Sequence, residues 1–180
     1  MKVKLSNVRL AFPALFEART VNGEGDPAFS ASFILPPNHP DIKVLNAAIE
    51  EVARDKWGAK TDGILKQARV ADKVCLHDGD SKTEYAGFEG NLYVSTRSKS
   101  RPLVIDRDKS PLTAADGRPY GGCFVNASID LWAQDNNFGK RVNASLAGVQ
   151  FAREGEPFSG GGAASADEFD DLGVPEENLV

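Results

Sequence analysis

Cysteine, histidine and methionine are scarce in this 180-residue chain: Cys75 and Cys123, His39 and His77, and one methionine. Two thiols far apart in sequence provide no disulfide framework and suit a reducing compartment. They also leave little for metal chemistry. Cys75 and His77 offer two neighbouring ligands, but Cys123 and His39 stand alone. A buried thiol and a turn histidine are the plainer reading. The same Cys75–His77 pair has no third partner for nucleophilic catalysis. Long apolar runs are absent too. No stretch approaches the ~18 residues of a membrane span, and MKVKLSNVRL lacks the apolar centre of a signal peptide. The expectation is an intracellular, cytoplasmic protein with no membrane partner. No heptad repeat offers a coiled coil.

What is present reads as a globular body with an appendage. The chain is 41% hydrophobic and 26% charged, inside the globular range. Its net charge of −5 is unevenly spread. Residues 153–180 hold eight of the 26 acidic groups and one of the 21 basic ones. That leaves twenty basic and eighteen acidic groups in residues 1–152: a +2 body and a −7 end. Such asymmetry points to an acidic tail on a nucleic-acid-binding body. SGGGAASA, Ser159 to Ala166, has the composition of a flexible linker, and the acidic end after it buries too little to fold alone. The expected division is a folded domain over 1–152 and a disordered acidic tail over 153–180.

Period-two alternation predicts most elements. Lys2–Ala11 reads as a strand with a bulge near Asn7, and FPALF as an apolar turn around Pro13. VNGEGDP, 21–27, reads as a loop and Phe29–Leu35 as a second strand. Asp41–Trp57 carries apolar residues at helical spacing, with Asn38 or His39 as cap and Trp57 as a core plug. A helical turn at Thr61–Ala68 and a brief strand at Lys73–Leu76 follow. Pro102–Ile105, Gly121–Trp132 and Arg141–Phe151 are further strands, with Ala133–Lys140 as a hairpin connection. Several alternating strands and one clear helix suggest a small curled antiparallel barrel or sandwich. Phe12, Phe29 and Phe151 read as core.

The stretch Lys82–Asp108 carries the chemistry. Leu92, Val94 and Thr96 alternate with Tyr93, Ser95 and Arg97, so one face suits a core. The other presents a ring and a cation, with Lys99 and Arg101 just beyond. Tyr85 and Phe88 lie upstream among glycines that permit close approach. Rings give bases a surface to stack on and cations meet phosphates, which is what a single strand requires. Tyr85, Phe88 and Tyr93 are the candidate platforms; Arg97, Lys99 and Arg101, helped by Lys73 and Lys82, are the candidate phosphate contacts. Trp132 faces outward and serves either as a further platform or as barrel-end packing. Two other readings stay open. Asp78, Asp80, Asp106 and Asp108 offer oxygen ligands for Mg²⁺ in a nuclease, although HDGD is also an ordinary turn. A β-rich structural protein without DNA binding, its tail serving solubility, is the other.

Several segments resemble the single-stranded DNA-binding proteins of bacteriophages, of the kind found in an Enterobacter phage and distantly akin to podovirus replication proteins. They are SNVRLAFPALFE, HDGD, YAGFEG, SRP before VIDRD, YGGCFVNASIDLWAQDN and FGKRVNASLAGVQFAREGEPF, together covering about 1–158. The resemblance implies an OB-fold, a five-stranded Greek-key barrel with an inserted helix, in a protein of DNA replication or recombination that is not an enzyme and needs no cofactor. It also implies that the acidic end, with Asp167, Glu168, Phe169, Asp170, Asp171, Glu176 and Glu177, covers the DNA groove when DNA is absent. The same end is implied to contact replication proteins such as a polymerase or helicase. Tails of this kind often end in an aromatic residue, whereas this one ends Asn178-Leu179-Val180 with Phe169 set inside.

Overall fold

The computed structural model describes residues 1–21, 23–158 and 169–173. Seven strands form one sheet: β1 Lys2–Val21, β2 Glu24–Leu35, β3 Leu76–Asp78, β4 Leu92–Ser98, β5 Leu103–Ile105, β6 Phe124–Asn136 and β7 Gly139–Arg153. The spatial order is β3-β4-β2-β1-β6-β7-β5. All pairings are antiparallel except β5 along β7. The sheet curls until its ends approach. The Cys75 N–H donates to the Val142 carbonyl and the Val142 N–H to that of Lys73, one bridge joining the segment before β3 to β7. The fold is mainly β and OB-like, as expected. Among the described residues it has seven strands rather than five, and that bridge stands where a closed barrel has a ladder.

Two helices, α1 Asp41–Trp57 and α2 Thr61–Val70, pack on this sheet. α1 matches its sequence pattern because Leu45, Ala48, Ile49 and Ala53 form its buried stripe. Both ends are pinned. His39 Nδ1 accepts the Asp41 N–H at 3.0 Å, and its Nε2–H donates to the Ser6 carbonyl at 2.8 Å. The Asp41 carboxylate accepts the Ser6 N–H at 2.8 Å. At the other end Trp57, partly buried on the core, donates its indole N–H to Asp135 at 2.9 Å.

Long strands correct three expected breaks. FPALF is not a turn: β1 runs through it, absorbing Pro13 in a register shift between Ala11 and Ala14. The loop expected over 21–27 is largely strand, since Val21 and Glu24 are already partners and β2 begins at Glu24. Likewise β6 continues to Asn136 and β7 begins at Gly139. The brief strand near Lys73 sits later, at Leu76–Asp78, and the helical turn at Thr61 extends to Val70.

The expected boundary after Ala152 falls inside β7. Beyond β7, residues 154–158 lie as a strap across the body. The Tyr120 hydroxyl donates to the Gly155 carbonyl and accepts the Gly155 N–H, at 2.9 and 3.1 Å. Arg9 donates to the Gly122 and Glu156 carbonyls, and its guanidinium lies 4.1 Å from the centre of the Phe158 ring. The strap comes so close that a Cβ on Gly122 (φ +109°) would sit 2.1 Å from the Glu156 carbonyl oxygen.

Candidate nucleic-acid interface

Alternation on β4 sends Val94 and Thr96 into the core and Tyr93, Ser95 and Arg97 to the outer face. Register then assembles that face. Tyr93, Ser95 and Arg97 pair across β2 with Ile34, Ser32 and Ser30. Ile34 and Ser32 pair in turn with Arg9 and Ala11 of β1. Small side chains thus floor the middle of the face, with Tyr93 toward one end and Arg97 toward the other. Four residues of strand put these two about 13 Å apart.

At the ring end the segment after β3 folds back as a second layer. A Cβ on Gly79 would meet the Phe88 carbonyl oxygen at 2.0 Å, so only glycine permits the approach. Phe88 and Tyr93 are consequently 1% and 4% exposed, in a small cluster with Ala11 and Ile34. This corrects the expectation that both rings are open platforms: they support a surface instead. Burial raises the Tyr93 phenol above its ordinary pKa, partly opposed by a hydrogen bond with Ser81. The exposed rings are Tyr85, 44% exposed, and Phe12, 50% exposed, which the sequence placed in the core. Phe12 stacks on Phe88 at 5.7 Å between centroids and meets Tyr85 edge-on at 4.9 Å. It does so from a left-handed backbone, φ +49°, which is a sterically costly conformation for a bulky residue. The signal that could have found it is proline inside an otherwise strand-like run, a mark of a bulge that re-aims a side chain.

The cations divide into groups. The Lys82 ammonium lies 5.9 and 5.6 Å from the Tyr85 and Tyr93 ring centres. Arg97, Lys99 and Arg101 gather by the β1–β2 hairpin. Arg97 donates to the Asp26 carbonyl, Lys99 approaches the Asp26 carboxylate at 3.6 Å, and Arg101 donates to the Phe16 carbonyl. Lys73 and Trp132 belong elsewhere. Lys73 sits beside Gly139 at the start of β7, and Trp132 donates its indole N–H to the Ser145 hydroxyl at 3.1 Å. The structure therefore joins Tyr85, Phe88, Tyr93 and Lys82 at one end and Arg97, Lys99 and Arg101 at the other, without Lys73 or Trp132.

Residues 1–179 match the model of the family described as Enterobacter phage Enc34, ssDNA-binding protein. The chain belongs to that family. It is 53% identical to protein p50 of Acyrthosiphon pisum secondary endosymbiont phage 1 over 180 residues, which cover 98% of this chain and 97% of that one. The structure is similar to the single-stranded DNA-binding protein of bacteriophage Enc34 in complex with ssDNA. The TM-score is 0.74 and the identity 27%, over 88% of this chain and 89% of that one. It also shares its fold with gp2.5, a single-stranded DNA-binding protein of bacteriophage T7. There the TM-score is 0.58 at 10% identity, over 91% and 98% of the two chains.

Within this Enc34-family fold, the carboxylates considered for Mg²⁺ hold turns. Asp78 accepts the Asp80 N–H, and Asp80 accepts that of Gly90. Asp106 accepts from Arg118 at 2.6 Å, which holds its carboxyl below the usual range. Asp108 accepts from the Ser110 hydroxyl and N–H, with the same effect. His77 has both ring nitrogens engaged, by Asp72 at 2.5 Å and by the Ser95 hydroxyl at 2.8 Å. That order resembles an acid–histidine–serine relay. Ser95, however, lies mid-strand with its own N–H spent on the Cys75 carbonyl, unavailable to a developing oxyanion. The chain of bonds instead fastens residues 72–78 to β4, with the His77 ring stacked 4.8 Å from that of Tyr93. Both thiols are buried, and burial pushes Cys75 up to about 12 and Cys123 to about 11.

Among the described residues no helix is long and apolar enough to cross a membrane. Of the acidic end, Phe169 and Leu172 are exposed, and Asp171 accepts the Gly173 N–H at 2.8 Å. Asp167, Glu168, Glu176 and Glu177, with the predicted linker, lie outside the described residues.

Proposed function

We propose that this chain binds single-stranded DNA across the outer face of β1, β2 and β4, as a non-enzymatic protein of phage DNA replication or recombination in the host cytoplasm. The carrying observation is the polarity of that face: exposed Phe12 and Tyr85, backed by buried Phe88 and Tyr93, at one end, and Arg97, Lys99 and Arg101 at the other. A relative 27% identical over 88% of the chain is in complex with ssDNA, which supports the reading. Phe12 and Tyr85 stack bases, each worth about 1–3 kcal/mol, while Lys82 and the β4 cations hold phosphates. Stacking and charge read little of the base edge, so binding is largely sequence-tolerant. Lys73 and Trp132 contribute to an extension of the strand path.

The acidic end competes with DNA for this face. Held near it by the strap, it reaches an effective concentration on the order of millimolar and suppresses weak ligands such as duplex. Single-stranded DNA displaces it, freeing Asp167–Asp171, Glu176 and Glu177 to meet a polymerase or helicase. The folded unit spans 1–158, since the strap packs on the body.

The test is a titration of a labelled dT oligomer of about 30 nucleotides, and of duplex of equal length, with full-length protein and with a form ending at Phe158. Both forms bind the single strand, and truncation gains duplex binding. Unchanged duplex binding removes the competing tail. No single-strand binding by either form removes the function.

A further inference from the structure

Beside the exposed rings lies a cavity of about 560 Å³, lined by Phe12, Pro13, Tyr85, Phe88, Phe158 and Glu84. Its volume lies within the range of small-molecule sites. The fourth ring, Phe158, comes from the strap, close enough that a Cβ on Gly87 would lie 2.6 Å from it. A cavity walled by four rings suits a π-system. Its lining contains no cation, and its ionisable groups are the Tyr85 phenol and the Glu84 carboxylate. Glu84 is exposed and belongs to that lining. A carboxylate only accepts hydrogen bonds, and the nearest cations, Arg9 over the Phe158 ring and Lys82 by the Tyr85 ring, stand behind the walls and outside the lining. The occupant that fits is neutral, flat and edged with N–H donors.

We infer that this cavity takes one base of the bound strand, and that Glu84 selects bases bearing an exocyclic amino group. The inference rests on the single-strand reading above and adds one biased position to an otherwise tolerant face. Carboxylates accept from the cytosine N4 amino group. Thymine has one edge donor, N3–H, flanked by two carbonyls that a carboxylate repels. Thymine also carries a C5 methyl that cytosine lacks, and that difference is common to both proteins, so the edge is read from the change Glu84→Gln makes in the dC-to-dT ratio.

The experiment measures dC and dT oligomers of about 12 nucleotides, within reach of one OB footprint, on full-length protein and its Glu84→Gln variant. A hydrogen bond to an ionised group gives the wild type about 10-fold or greater preference for dC. The glutamine amide both donates and accepts, so it serves thymine as well, and the preference falls to within about 2-fold. A shared affinity gain from the lost negative charge cancels in the ratio, and an unchanged melting temperature shows the variant to be folded. Equal affinities in the wild type, or a dC preference that survives Glu84→Gln, overturn the inference while leaving single-strand binding intact. Failure of both oligomers to bind the wild type removes the underlying reading, and this assignment with it.

Discussion

Phe12 holds its ring in place against a backbone penalty of about 1–2 kcal/mol for a left-handed residue. Stacking on Phe88 returns about 0.5–1.5 kcal/mol, so the two nearly offset. Asparagine visits this conformation readily. Phe12→Asn therefore moves the melting temperature little, while single-strand affinity falls by about 1–3 kcal/mol. Calorimetry and titration together check this, and a large drop in melting temperature would make Phe12 a packing residue only. Cys75 yields a pH prediction. Its thiol is raised in the folded state, so the native protein prefers the neutral form. The contribution is complete below the unfolded thiol pKa, near 9, and is lost as pH rises toward about 12. Unfolding free energies from denaturant titrations should fall across that window by about 1.4 kcal/mol per pH unit from this group. Cys75→Ala should remove this share of the slope and leave that of Cys123, which burial raises to about 11.

Among elements, β6 and α1 were the most legible in the sequence. Val125, Ala127, Ile129 and Leu131 alternate on a strand with one buried face, and α1 shows one uninterrupted helical stripe. Periodicity reports a face, not what later covers it. It placed Tyr93 correctly opposite Val94, yet nothing local shows the Gly79–Gly90 segment closing over that ring. Phe12 failed for the opposite reason: proline was read as a break, whereas β1 continues through a bulge held by partners on β2. Glu84 and Phe158 gained their setting only by long-range packing. The strap carries a prediction at this scale. Gly122 has φ +109° and the Glu156 carbonyl against its missing side chain. Gly122→Ala should lift the strap, cost about 1–3 kcal/mol in chemical denaturation and weaken binding through the displaced Phe158 wall. Gly173→Ala, with open space around it, should not affect binding.

For the whole molecule, the charge division governs how binding responds to salt. Four cations on the proposed face, Lys82, Arg97, Lys99 and Arg101, give a log–log salt slope of about −2.8 on single strands if all meet phosphate. Adding Lys73 brings it to about −3.5. A form ending at Phe158 should bind more tightly at low salt than the full chain, the two converging as salt screens the acidic end. Affinities measured at four salt concentrations check both statements, and a slope near zero would leave stacking alone to carry binding.

The single Val74–Val142 bridge gives the curled sheet a seam. Opening there breaks the pair of backbone bonds between the β3 lead-in and β7 and parts the buried Val74 and Val142 side chains, while the β1–β2–β4 ladders stay whole. Stability in such a body is unevenly distributed, and the seam is where a local parting breaks the fewest ladder bonds. The β1–β2–β4 face proposed for DNA lies on the continuous side, so a parting at the seam moves Lys73 and leaves Arg97 and its strand neighbours in place.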